Sequence, residues 1–143
     1  MRAGDVLFPV YREYGAQIWR GVTLTEILTY WAGDESGNDF AGPREDFPWC
    51  VPIASQMPQA AGVAMAMRIR GEARCVVAFI GDGGTSQGAF YAALNAAGAH
   101  TLPMVFVIDN AVAPGSGIAL GKVPSALAEL GAAFAIPGEQ IDG

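Results

Sequence analysis

Two unbroken apolar runs, Cys75-Val-Val-Ala-Phe-Ile80 and Met104-Val-Phe-Val-Ile108, dominate the hydrophobic pattern of the chain. Their length and β-branched content predict strands. Because they are continuous rather than alternating, they suit a sheet covered by helices on both faces. Between them, Thr85 to His100 carries a helical pattern of about crossover length, so the pair reads as a βαβ unit with parallel strands. Thr85 or Ser86 can accept at the N-cap of that helix. Gln59 to Arg70 predicts another covering helix, whose Ala60, Ala61, Gly62, Ala64 and Ala66 are small enough for a neighbouring helix or a ligand to approach closely. Nearer the start, Thr23-Leu24-Thr25-Glu26 has the form of a capping box. Leu24, Ile27, Leu28 and Trp31 follow at helical spacing, predicting a short helix from Thr23 to Ala32.

Polar and glycine-rich text separates these elements. Gly33-Asp34-Glu35-Ser36-Gly37-Asn38-Asp39 reads as loop, and Arg44, Glu45 and Asp46 read as a solvated charged cluster between Pro43 and Phe47. Residues 1–50 thus form a loop-rich, aromatic lead-in with one short helix, and residues 51–143 form the βαβ core. Residues 111–143 are rich in Gly and Ala, with a helix predicted from Ser125 to Phe134 and a strand starting at Gln140-Ile141. No internal repeat is visible. Two or three parallel strands leave long unpaired edges, and the text stops where a strand is predicted to begin. The expectation is an incomplete α/β fold, with residues 1–143 part of a single domain of a larger protein.

Composition narrows the class of function. At 143 residues the chain is one domain's worth, and 52% hydrophobic against 15% charged residues excludes disorder for most of it. Eight Lys and Arg against 14 Asp and Glu give a formal charge of −6, which argues against nucleic acid as a partner. The apolar runs are far shorter than the roughly 18 residues of a bilayer span. The N-terminus lacks the apolar stretch and cleavage site of a secretory signal, so no membrane role and a cytoplasmic location are expected. Cys50 and Cys75 are in no metal or redox spacing and read as buried small hydrophobes.

The stretch richest in chemistry is Ile80-Gly81-Asp82-Gly83-Gly84-Thr85-Ser86-Gln87-Gly88, where a strand hands over to a helix. Glycines there let backbone approach a ligand closely, and a helix start directs free N–H groups at an anion. The carboxyl end of a strand is also the usual ligand crevice of an open α/β sheet. Asp82 would repel a phosphate unless a cation lay between them. A divalent metal resolves the conflict, since magnesium commonly bridges carboxylates to substrate phosphates. The alternative is a glycine turn with a solvent-facing Asp.

Gly81-Asp82-Gly83, followed one helix and one strand later by Asp109-Asn110-Ala111, resembles the thiamine-diphosphate motif that runs from Gly-Asp-Gly to a closing Asn-Asn. The wider text resembles the α subunits of the E1 component of 2-oxo-acid dehydrogenases, bacterial pyruvate dehydrogenases among them. The residues that carry this likeness are Asp5-Val-Leu-Phe-Pro-Val-Tyr-Arg12, Asp39-Phe-Ala-Gly-Pro-Arg-Glu-Asp-Phe-Pro48, Pro52-Ile-Ala-Ser-Gln56, Gly81-Asp-Gly-Gly-Thr-Ser86, Ala93-Leu-Asn95, Leu102-Pro-Met-Val-Phe-Val107 and Gln140-Ile-Asp-Gly143.

The resemblance implies a thiamine-diphosphate-binding fold that binds Mg²⁺ and thiamine diphosphate. The reaction it implies is oxidative decarboxylation of pyruvate or a related 2-oxo acid, with acyl transfer to lipoamide. Implied partners are an E1 β subunit in an α₂β₂ assembly and the E2 lipoyl acyltransferase. Because the β subunit supplies the Glu that activates the aminopyrimidine, this chain alone is expected to be inactive. By the same resemblance, Tyr11 and Arg12 reach the diphosphate, the backbone around Ile53 contacts the aminopyrimidine, Asp82 holds Mg²⁺, and the N–H groups of Gly83 and Gly84 meet diphosphate oxygens.

Two positions, 111 and 14, depart from the family's pattern, and a third, 113, is restricted by its neighbour. The second metal ligand, an Asn, falls at residue 111, which is Ala111. The third ligand is a backbone carbonyl matching Ala113, which Pro114 restricts to extended conformations. Tyr14 stands where many members have His, and the single histidine, His100, falls at a helix end where the dipole accounts for it. A non-catalytic remnant or assembly module with impaired metal binding is therefore the alternative. An unrelated nucleotide-binding domain is disfavoured, because neither Gly-x-Gly-x-x-Gly nor Gly-Lys-Thr/Ser follows a strand.

Overall fold

The computed structural model describes residues 1–110 and 127–141. Its centre is a parallel sheet of three strands in the order β1 (Val6–Phe8), β2 (Val76–Gly81), β3 (Met104–Asp109). β2 and β3 are the two apolar runs, each within a residue of the predicted span. The three apolar residues of β1 are too few to show a pattern, and Pro9, which has no N–H, directly follows them.

Between β1 and β2 lie three helices, α1 (Tyr14–Arg20), α2 (Leu24–Trp31) and α3 (Gln56–Arg70). α4 (Gly88–Ala99) links β2 to β3. α2 forms where the capping box predicts. The Thr23 hydroxyl accepts from the Glu26 N–H at 3.2 Å, and the Glu26 carboxylate accepts from the Thr23 N–H at 2.7 Å. α3 starts three residues before the predicted Gln59, with Pro58 tolerated in its first turn. It ends at Gly71, whose φ of +66° makes the left-handed C-cap. His100 caps the C-terminus of α4, donating its backbone N–H to Ala96 at 3.1 Å.

α3 and α4 pack on one face of the sheet. Met57, Ala60, Ala61, Ala64 and Met67 of α3 join Phe90, Ala93, Leu94 and Ala97 of α4 over Val6, Phe8, Val76, Ala78 and Ile80, the alternate residues of β1 and β2. The small residues of α3 serve close helix packing here. On the other face Leu7 and Val77 are buried, whereas Val105 on β3 is 49% exposed. A second cluster of Val22, Ile27, Phe40 and Trp49, with Tyr14 and Tyr30, fixes α1 and α2 to the loop that follows them.

Several expectations are corrected. The segment Gly33–Asp39 is not plain loop, because Glu35–Asn38 forms a 3-10 turn with Gly37 against the backbone of Glu26 and Tyr30, where a Cβ would collide. Thr85 and Ser86 do not cap α4. Their hydroxyls donate back to the carbonyls of Asp82 (2.6 Å) and Gly83 (2.9 Å), closing a separate 3-10 turn, Asp82–Ser86. Of the charged cluster, Asp46 is buried, forms an ion pair with Arg20, and accepts from the Leu7 N–H at 2.9 Å. With Phe47 donating to the Leu7 carbonyl at 2.9 Å, this segment covers the outer edge of β1.

Cys50 and Cys75 are half-buried rather than buried. The Cys75 thiol is pushed up by burial and by the neighbouring Asp5 carboxylate. No strand forms at Gln140-Ile141, and Ile141 is 81% exposed. The predicted helix at 125–134 begins outside the described residues and is seen as a turn of α-helix, α5 (Leu127–Leu130), running into a 3-10 turn, Gly131–Phe134. Phe134 packs against the core and over Gly98 of α4.

Candidate functional site

Parallel strands align their carboxyl ends, so the segments after β1 and β2 emerge side by side. After β1, residues 9–13 carry Tyr11 and Arg12 before α1 begins. After β2, the chain enters the turn Asp82–Ser86. A third segment, residues 51–55, precedes α3. Its Pro52 carbonyl accepts from the Ser55 N–H (3.2 Å) and hydroxyl (2.7 Å), and Ala54 is held at φ +65°, a conformation that costs a residue with a Cβ about 1–2 kcal/mol. That closed turn turns Ile53 outward, 56% exposed.

These three segments meet at the end of β2. Arg12 Nη1 lies 4.0 Å from where a Cβ on Gly81 would stand, and Ile53 Cγ2 lies 3.2 Å from the corresponding point on Gly84. Gly84 is also closed in by Ile80 Cγ1 at 2.6 Å, so no larger residue fits without displacement. A Cβ added at Gly83 would meet nothing within 4 Å, and the residue is exposed, so an outside group can approach its backbone. The opening N–H groups of a helical turn have no acceptor within it, which suits an anion.

Two charged side chains stand at the same strand end. Arg12 is exposed and takes part in none of the described ion pairs; its guanidinium carbon stacks 5.7 Å from the Tyr11 ring centre. Asp82 is half-buried and likewise unpaired among the described residues. A cation on one side and an uncompensated carboxylate on the other can hold an anion and a metal together. On β3, Asp109 is in register with Gly81 and exposed, so a second carboxylate stands on the neighbouring strand end. Among the described residues no cluster of three or more His, Cys, Asp or Glu forms a complete metal site.

The sequence-predicted residues Arg12, Ile53, Asp82, Gly83 and Gly84 are therefore brought to one place, with Tyr11 beside Arg12. Ala111, Ala113 and Pro114 lie outside the described residues. Tyr14 does not take a position at the turn; it packs edge-on to Trp49 at 6.2 Å, and burial raises its phenol. Sequence reading missed Gln56, which is buried and donates from Nε2 to the Phe79 carbonyl at 2.8 Å near the strand end. Its place at the end of the Pro52–Gln56 stretch that carries the family likeness, three residues before the helical pattern at Gln59, is the signal that could have found it. An open groove of about 460 Å³, lined by Tyr30, Trp49 and Val51 among others, runs up to Pro52 and so borders the Ile53 turn.

A parallel α/β body with a glycine turn at its strand ends, where Arg12 and Asp82 are unpaired among the described residues, belongs to the class of open α/β proteins, whose usual ligand crevice lies at those ends. The pattern of the family described as dehydrogenase E1 component matches residues 1–143. The chain is 37% identical over 140 residues to the pyruvate dehydrogenase E1 component subunit alpha of Staphylococcus aureus (strain Mu50), covering 97% of this chain and 38% of that protein. It is 38% identical over 144 residues to the subunit of the same name from Acholeplasma laidlawii, covering 100% of this chain and 42% of that protein. The mitochondrial 2-oxoisovalerate dehydrogenase subunit alpha 1 of Arabidopsis thaliana is 40% identical over 117 residues, 74% of this chain and 24% of that protein. The chain belongs to the dehydrogenase E1 component family and spans well under half the length of these relatives.

Proposed function

We propose that this chain is the diphosphate- and metal-binding part of an E1 α-type subunit of a 2-oxo-acid dehydrogenase. The observation that carries this reading is the meeting of Arg12, Ile53 and the Gly81–Ser86 turn at the strand ends, with Asp82 in that turn unpaired among the described residues. The residues present fit Mg²⁺ and thiamine diphosphate at one end. Arg12, with Tyr11 beside it, would hold diphosphate oxygens, the N–H groups of the open Gly83 and the enclosed Gly84 would donate to them, Asp82 would hold Mg²⁺, and the segment around Ile53 would meet the aminopyrimidine. When bound, thiamine diphosphate supplies the carbon nucleophile and electron sink for decarboxylating a 2-oxo acid. The role of this chain's own residues is binding and orientation: fixing charge at the diphosphate and closing the turn around it.

The proposed substrate is pyruvate or a related 2-oxo acid, and the proposed acceptor is lipoamide on an E2 lipoyl acyltransferase. A β-type subunit, in an α₂β₂ assembly, would complete the site, so the chain by itself is expected to be inactive. The cytoplasm is its proposed place of action, on the strength of the likeness to bacterial α subunits. A second reading, a family member that no longer binds metal tightly, is favoured by one observation: Ala111 has no side-chain oxygen where the family places a ligand.

Thermal unfolding separates the two. Thiamine diphosphate at about 100 times its Kd, with Mg²⁺, should add about 2.7 kcal/mol by mass action and raise the melting temperature by several degrees. No shift, either for the chain alone or mixed with a β-type subunit, would leave the metal-impaired reading. In that experiment Ala111→Asn is expected to enlarge the Mg²⁺-dependent shift, because it restores an oxygen donor.

A further inference from the structure

The segment after β1 holds a residue with no role in the reading above. Glu13 stands directly before α1, where a carboxylate would ordinarily serve the helix start. It makes no cap to α1. Instead its Oε2 turns back and accepts from the Val10 N–H at 2.8 Å and the Arg12 N–H at 3.4 Å. The β1–β2 ladder explains what this achieves. Val6 donates to the Cys75 carbonyl, and the same register carried on by residues in steps of two would bring the Val10 N–H to the Phe79 carbonyl. Glu13 removes Val10 from that ladder, and the Gln56 carboxamide takes the Phe79 carbonyl in its place.

β1 therefore stops at Phe8, and the chain bends at Tyr11 and Arg12, which delivers Arg12 to Gly81. The same contact has an electrostatic effect. A carboxylate next in sequence to Arg12 could neutralise it, but engagement with two backbone N–H groups keeps the guanidinium free for an outside anion.

We infer that Glu13 is a positioning residue: by closing the Val10–Glu13 turn it ends β1 and presents Arg12 to the anion held at the Gly81–Ser86 turn. This rests on the proposed diphosphate site. The test is calorimetric titration of the full chain with inorganic pyrophosphate in the presence of Mg²⁺. Glu13→Ala should weaken binding about tenfold, as loss of a charged hydrogen-bond acceptor at a site-forming turn does. Glu13→Gln, which keeps the acceptor oxygen without the charge, should bind within about twofold of the parent. Arg12→Ala and the double variant Arg12→Ala/Glu13→Ala should be equally weak, because Glu13 acts through Arg12.

Parent-like binding by Glu13→Ala would overturn the inference, and so would a further loss on adding Glu13→Ala to Arg12→Ala. Should Glu13→Ala fail to fold, loss of affinity in the folded Glu13→Gln variant would overturn it equally, and parent-like affinity there would uphold it. Failure of the parent itself to bind pyrophosphate would bring down the diphosphate site, and this inference with it; binding by the parent and undiminished binding by Glu13→Ala brings down the inference alone.

Discussion

Gly83 and Gly84 are neighbours in one turn under opposite constraints. A methyl at Gly84 would press on Ile80 and Ile53, whereas one at Gly83 would meet open space. Gly84→Ala should therefore cost about 1–3 kcal/mol in urea unfolding, as forced overpacking does. Gly83→Ala should stay within about 0.5 kcal/mol of the parent. Asp46 makes a sharper case. Asp46→Ala would leave Arg20 buried without its partner and the Leu7 N–H without its acceptor, and should cost about 3–5 kcal/mol by the same measurement. Nothing in Arg44-Glu45-Asp46 distinguishes the third residue as buried. Arg44 and Glu45 do behave as surface charges, paired with Asp39 and Arg74, while Asp46 is drawn inward by an edge strand 39 residues away in sequence. The chemistry proposed for Asp82 is legible in the residues, because a carboxylate in a glycine turn poses its own electrostatic question, whereas Arg12 is nominated only by the family resemblance.

α2 is the element whose start the sequence states most fully, and its capping box makes a pH prediction. Hydrogen bonds from the backbone N–H of Thr23 and then of Ala41 hold the Glu26 carboxyl below its usual range. A carboxyl lowered on folding contributes stability that is complete above its unfolded value of about 4.3 and is lost as pH falls through the lowered folded value. The melting temperature should thus drop on going from about pH 5 to about pH 3, and Glu26→Gln should flatten that drop. Some slope will remain from Asp5, where burial pushes the carboxyl up but hydrogen bonds from Arg2 and Cys75 more than offset it. At neutral pH, Thr23→Ala should cost about 1 kcal/mol. α1 is the contrasting element. Its one buried residue is Gln17, while Trp19 is 86% exposed, so no apolar stripe marks it as a helix. What fixes it is tertiary: the Gln17 carboxamide accepts from Trp49 Nε1 at 2.7 Å, and Gly21 closes its end.

For the whole molecule, local text and long-range assembly divide what could be read. The parallel α/β body followed from two apolar runs separated by a helix, since that order of elements leaves few topologies. The meeting of three distant segments at the end of β2 is set by strand order and by turns such as Pro52–Ser55, and no local pattern encodes it. The resemblance nominated those segments, and the fold joins them.

Dependence of cofactor binding on Mg²⁺ and on the Asp82 carboxylate follows from the proposed site, in which Asp82 would hold the ion beside a diphosphate at the Gly81–Ser86 turn. Its most direct measurement is calorimetric titration of thiamine diphosphate into the full chain with its β-type partner, in Mg²⁺ and in excess chelator, for the parent and for Asp82→Asn. Saturable binding in Mg²⁺ is expected to weaken by at least about tenfold on chelation, and to a similar extent in Asp82→Asn. Equal affinity in chelator and in the variant would contradict it.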